Sequence, residues 1–285
     1  MTENPLTWLI YNGSSGSFDR TLLGEVTVML RDAGYAPDRV TDCCEEDILS
    51  AEDANRAGVE LIAILGGDGT LSRTIAGLEG FDGAVLPLPG GTFNLLCRMI
   101  FGERDPLEIL KEFSDGRLTP QRRACIRGDG GLLALSEVLA GPGATWADVR
   151  EELRDGNIPE LLAKSIEAAS ESTAGPMVAV AEPRRGRPEG YSGVRLVPGP
   201  SGMAIAGYGA EGFLTLLQQG AAILARDFRG GPHDDLATAK KVVCRSVESA
   251  PIPLMIDGER SEGSPQVVFS LDTLGVDLLG PADGR

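Results

Sequence analysis

The chain of 285 residues holds a single histidine, His233, so a histidine-rich metal site is excluded. A Ser-His-Asp hydrolase would have to rest on that one imidazole, and no G-x-S-x-G elbow accompanies it. Cysteines are few: Cys43 and Cys44 are adjacent, while Cys97, Cys125 and Cys244 are scattered. Their spacing resembles no zinc ladder, and an odd count fits a disulfide framework poorly. Two unrelated thiols in a reducing compartment is the plain reading of the vicinal pair, and a redox switch is the sharper one. Basic residues are in deficit, 26 against 42 acids, for a net charge of −16. That argues against a nucleic-acid binder, which needs a basic face to displace counterions, and against broad adhesion to an anionic membrane. No apolar run approaches the ~18–20 residues of a membrane span. The opening "MTENPLTWLIYNG" lacks the basic and long apolar regions of a signal peptide. The expectation is a cytoplasmic protein without a transmembrane segment.

What is present is a globular composition, 42% hydrophobic and 24% charged, in a chain long enough for two domains. The first hundred residues repeat one unit. "LTWLIY" (6–11) reads as a buried strand, "NGSSGS" as a turn, and 18–32 as an amphipathic helix stopping at Gly34. A weaker strand falls near 36–41. "VELIAIL" (59–65) is a second clear strand, followed by "GGDGT" and a helix over 71–78; "GAVLPL" (83–88) is a third, followed by "PGGT" and a helix over 93–101. Apolar strands without clean alternation, each leading through glycine into a helix, predict a parallel sheet covered on both faces. Past Pro120 the runs shorten and become richer in Gly and Pro, as in "MVAVAEP", "VRLVPGPSGMAIAGYG" and "PQVVFSL". These predict a mainly antiparallel second domain, interrupted by helices over 147–170 and 211–228. The expected division is an α/β domain over 1–120 and a β-rich domain over 121–285, whose extreme end is free to pack back on the first.

In a parallel sheet the turns after the strands gather along one edge, so those at Asn12, Gly66 and Pro89 should be neighbours. Each offers backbone N–H groups and a helix N-terminus to an anion, which together predict a phosphate crevice. None contains G-K-[ST], and no G-x-G-x-x-G follows the first strand, so neither a Walker A loop nor a dinucleotide fingerprint is present. Asp68 therefore stands at the centre of a turn shaped for negative charge. A bare carboxylate there repels polyphosphate, whereas Mg²⁺ between the two reverses the sign. The plainer reading is an Asx turn in which Asp68 caps the following helix.

"GGDGT" (66–70) followed by "PGGTFN" (89–94) resembles the diacylglycerol kinase catalytic family, which also contains sphingosine and ceramide kinases. "YNGSSG" (11–16) is similar to a relaxed form of that family's N-P-x-[SA]-G opening, with Gly13 in place of proline; "IDGE" (256–259) resembles its D-G-E element. The resemblance implies an N-terminal nucleotide domain, a C-terminal β-sandwich, and transfer of the ATP γ-phosphate to a lipid hydroxyl with Mg²⁺. It implies that Gly66, Gly67, Asp68, Gly69 and Thr70 wrap the phosphates, Asp68 acting on Mg²⁺ through water. It further implies that Gly91, Thr92 and Asn94 complete the nucleotide site, that Asn12 and Thr41 line it, and that Glu259 accepts the proton with Asp257 beside it. The partner implied is a lipid met transiently at a membrane surface; a homodimer stays open.

The chain departs from the pattern in two places. Leu95 and Leu96 follow Asn94, where many bacterial members carry aspartate, and "GPSGMAI" (199–205) stands where a D-D-G stretch often holds a structural Mg²⁺. No structural metal site is therefore expected, and "HDD" (233–235) reads as a solvated loop. The cluster Arg184, Arg185 and Arg187 is either another such loop or a headgroup patch, and Trp146 reads as a packed aromatic. Two rival functions remain: an NAD kinase, which shares G-G-D-G-T but not the second element, and a noncatalytic nucleotide- or lipid-binding protein that has lost transfer.

Overall fold

The computed structural model describes residues 4–45, 50–142, 175–209 and 233–282. The helices expected over 147–170 and 211–228, and Trp146, lie outside the described residues. The chain packs as two units, Met1–Arg123 with Thr273–Arg285, and Ala124–Asp272.

In the first unit, strands β1 (Thr7–Tyr11), β2 (Pro37–Asp42), β3 (Leu61–Gly66) and β4 (Ala84–Pro89) form a parallel sheet ordered β2-β1-β3-β4. The end of β15 (Gln266–Pro281) lies parallel to β4, pairing Asp277 with Ala84 and Leu278 with Val85. All six residues of β3 are buried, as a central strand covered on both faces requires. Helices α1 (Arg20–Asp32), α2 (Ala51–Ala57), α3 (Asp68–Gly77), α4 (Leu95–Phe101) and α5 (Pro106–Ser114) alternate with or follow the strands. Helices α2 and α5 are additional to the elements expected from the sequence.

Their N-termini fall into two kinds. Asp19 caps α1, Ser50 caps α2, and Asp105 and Glu108 form a reciprocal capping box on α5 with Pro106 in the first turn. Helices α3 and α4 instead start from Gly67 and Asn94 with no side-chain cap.

The second unit is a β-sandwich. Its antiparallel sheet runs β11-β10-β9-β7-β13-β14, from β11 (Asp234–Ala239), β10 (Gly202–Tyr208), β9 (Gly193–Gly199), β7 (Val138–Ala140), β13 (Ile252–Ile256) and β14 (Glu259–Gly263). Against it lie β12 (Lys241–Ser246) paired with β8 (Val178–Glu182) and with residues 266–270 of β15. The end of β5 (Leu118–Gly128) pairs with β6 (Leu132–Ala134). Val138, Leu196, Ile205 and Leu254 of the six-stranded sheet share one core with Val180, Val242, Phe269 and Ile126 of the other layer. Burying a side chain of this size contributes about 1.5–3 kcal/mol, which is what holds the layers together. The α/β first domain and the antiparallel second domain are thus as expected. No helix among the described residues is long and apolar enough to cross a membrane.

Candidate functional site

The turns after β1, β3 and β4 meet. Asn12 Nδ2 donates to Thr70 Oγ1 at 3.0 Å, joining the first turn to the second. Ser17 Oγ donates to Gly90 O at 2.7 Å, joining the first to the third, and Gly90 N donates to Gly66 O at 2.9 Å, joining the third to the second. The contact is close enough to require glycine: a Cβ on Gly91 would stand 2.6 Å from Gly67 Cα, and one on Gly90 2.9 Å from Gly66 N.

Asp68 is the first residue of α3, not the centre of a turn, because Gly67 is extended (φ −79°, ψ 179°) and passes β3 straight into the helix. Helix α3 accordingly starts three residues ahead of the position expected from the sequence. The Asp68 carboxylate reaches the next helix. Its Oδ1 accepts, at a long 3.4 Å, from Leu96 N in the first turn of α4. Burial, and to a lesser degree the Asp68 charge, pushes the Cys97 thiol well above its usual range. In α3 the first helical bond is Leu71 N to Gly67 O, so Gly69 and Thr70 carry N–H groups without a helical partner. Such groups, with the positive helix end behind them, suit an anion.

Other expected residues take supporting places. Asn94 has φ +50°, and both ends of its amide are spent on Gly91: Oδ1 accepts from Gly91 N and Nδ2 donates to Gly91 O, each at 2.8 Å. It shapes the turn from within. Thr92 is exposed on that turn. Thr41 is buried near the end of β2, and its hydroxyl accepts from Arg39 Nε at 3.1 Å within the same strand. The residue that ties β2 to the first turn is Asp42, which the sequence reading passed over. Its Oδ1 accepts from Gly13 N at 3.1 Å and from Cys44 N at 3.0 Å. A proline at position 13 would remove the first of these donors, and any Cβ there would collide with the Asp42 carboxylate, which accounts for glycine. An acid at the carboxyl end of a parallel strand was the available signal.

In the second unit, Asp257 and Gly258 (φ +49° and +93°) make the two-residue turn between β13 and β14, and Glu259 is exposed at the start of β14. Asp257, expected beside Glu259, has its carboxylate turned into the fold. It is 2% exposed and accepts from Leu135 N (2.8 Å), Ser136 N (2.7 Å), Ser136 Oγ (2.6 Å) and Glu137 N (3.1 Å). A carboxylate held by four donors positions the hairpin. Beside it, Glu137 accepts from Arg195 Nε at 2.8 Å, both side chains being largely buried.

The β9–β10 turn carries Pro200 and Ser201, with no carboxylate of its own. Asp234 of "HDD" accepts from Tyr191 Oη at 2.9 Å and from Arg187 Nε at 3.0 Å. Those two donors hold its carboxyl below the usual range. Arg187 is thereby engaged, and Arg184 and Arg185 stay exposed in the loop.

Residues 7–124 match the family described as the diacylglycerol kinase catalytic domain. A crystal structure of a diacylglycerol kinase from Bacillus anthracis str. Sterne is 16% identical over 99% of both chains, with a TM-score of 0.63. Two further structures from that organism are 17% identical, with TM-scores of 0.62 and 0.64, over 98% or more of each chain. At such identity the likeness is one of fold. No curated protein matches the chain in sequence.

Proposed function

Because residues 7–124 match the diacylglycerol kinase catalytic domain, we propose that the protein is a lipid kinase that transfers the γ-phosphate of ATP to a diacylglycerol-like or sphingoid alcohol. The observation that carries the reading is the closure of three glycine turns on one another around the uncapped start of α3, with Asp68 among them.

Phosphoryl transfer asks mainly for positioning and charge neutralisation. The N–H groups of Gly69 and Thr70 receive phosphate oxygens, and Asn12, held on Thr70, fixes the near wall. Gly91 lets the third turn approach without a side chain, and Asn94 keeps that turn in shape. The donor set suits Mg²⁺: one half-buried carboxylate beside a phosphate-receiving turn is what a hard, well-hydrated cation takes, leaving its other positions to water and phosphate. Asp68 would hold it, and the ion supplies neutralisation of the phosphate charge. Glu259, exposed on β14, accepts the proton of the attacking hydroxyl, and Asp257 sets the turn that presents it. The lipid would be met transiently at a membrane surface.

The test is transfer of labelled phosphate from ATP to a panel of diacylglycerols and sphingoid bases, with NAD as a further acceptor. Wild-type transfer to lipid, reduced at least ~100-fold in Asp68→Ala and Glu259→Gln, supports the reading. Equal transfer by all three proteins overturns the site, and phosphorylation of NAD alone overturns the substrate class. Tight ATP binding without transfer to any acceptor makes the protein a nucleotide-binding relative that has lost catalysis.

A further inference from the structure

The proposed kinase chemistry has no use for the vicinal thiols, yet the chain gathers them with an acid. In a strand, neighbouring side chains point to opposite faces, so adjacent cysteines do not chelate. Here β2 ends at Asp42, and the chain turns at once, Glu45 N donating to Asp42 O at 3.1 Å. The turn brings one ligand atom each from Asp42, Cys43 and Cys44 within 4.8 Å of one another. Gly13 N and Cys44 N orient the carboxylate through its Oδ1. Cys43 is buried, with Arg73 Nη2 donating toward its sulfur at 3.8 Å, and Cys44 is exposed.

We propose that Asp42, Cys43 and Cys44 form a binding site for a borderline or soft divalent cation, of which Zn²⁺ and Cd²⁺ are the fitting kind. Two sulfurs and one carboxylate oxygen leave a fourth, tetrahedral position to water. Sulfur selects against Mg²⁺ and Ca²⁺, which take oxygen ligands. Charge also closes: two thiolates and a carboxylate around a divalent ion leave one net negative charge, and the Arg73 guanidinium beside Cys43 offsets it. Each thiol passes its proton to solvent as its sulfur binds, so one ion releases two protons and nothing is oxidised or reduced.

The site borders the first turn. Cys44 Sγ lies 2.9 Å from Ser14 Oγ and donates to Asn12 Oδ1 at 3.1 Å, while Asn12 Nδ2 holds Thr70. A bound cation takes the S–H donor from Asn12, leaving its Oδ1 to the N–H and hydroxyl of Ser14. The other cysteines serve as internal controls: Cys97, Cys125 and Cys244 are buried, and burial pushes the Cys244 thiol up to about 12.

The probe is Cd²⁺ alone, titrated into the reduced full chain in a weakly coordinating buffer. The ultraviolet cadmium–thiolate band and proton release are read together. The proposal expects one ion per chain, two protons released, and no displacement by excess Mg²⁺. Cys44→Ser, Cys43→Ala and Asp42→Asn should each weaken binding beyond the roughly 10–100-fold cost of losing an outer-shell partner. Circular dichroism checks that each variant is folded, and Cys44→Ser, at an exposed position, stands as the decisive one if Cys43→Ala unfolds. Absence of the band in wild type, or a band of equal affinity in Cys44→Ser, overturns the site. The titration needs neither ATP nor lipid, so its failure and that of the kinase reading are separately visible.

Discussion

Replacing Asp257 separates a catalytic acid from a positioning one. Its carboxylate satisfies three main-chain N–H groups, those of Leu135, Ser136 and Glu137, as well as the Ser136 hydroxyl, all in a buried setting. Asp257→Ala strands all four. One buried donor left unpaired costs about 1–3 kcal/mol. Water entering the vacated space repairs part of the loss, so the expected total is about 3–5 kcal/mol, the low end of four such losses. Asp257→Asn is milder and more telling. An amide oxygen in the Oδ1 position keeps three bonds, while its NH₂ meets the Leu135 N–H donor to donor, a loss of about 1–3 kcal/mol. Guanidinium unfolding followed by circular dichroism measures both. With a slope of about 4 kcal/mol/M, the alanine variant's midpoint falls by about 1 M in the transition that reports the β-sandwich. Kinetics complete the test: a positioning residue leaves the pH dependence of transfer in place, whereas loss of a general base costs about 10²–10⁴-fold at neutral pH. Stabilities of both variants within ~0.5 kcal/mol of wild type, the range of an ordinary surface change, would refute the assignment.

Two more predictions follow from the turns and the sandwich. Gly91→Ala should abolish ATP binding in a calorimetric titration, because its Cβ meets Gly67 Cα at 2.6 Å; Gly67→Ala, with 3.4 Å to Gly91 Cα, should bind within about one kcal/mol of wild type, an ordinary single-substitution effect. Equal behaviour of the two would mean that the turns do not interlock as described. The Asp234 carboxyl, lowered by its hydrogen bonds from Tyr191 and Arg187, contributes stability that is present above its unfolded value, near ~4, and is lost as pH falls through the lower folded value. The difference in melting temperature between wild type and Asp234→Asn should therefore be largest near neutral pH and shrink below ~4. A difference that widens on acidification would contradict the pairing.

The sequence by itself determined the elements whose signals are local. Apolar runs at 6–11, 59–65 and 83–88, each followed by glycine and an amphipathic stretch, are enough for parallel strands and for three turns along one edge. Helix α5 was equally legible in Asp105, Pro106 and Glu108, a box whose reach is three residues, although the reading passed over it. Only the tertiary structure decided what each polar side chain does. Asp257 and Glu259 are indistinguishable in "IDGE", and what turns one inward is a set of N–H donors some 120 positions earlier in the chain. Asn94 and Thr41 have the composition of ligands, but each also bonds within the fold, to Gly91 and to Arg39. Adjacent cysteines become a chelating pair solely because a turn, rather than a strand, follows Asp42. Periodicity records which face a residue takes along its own element; the partner its polar atoms find is set by where distant backbone donors arrive, and that is a property of packing.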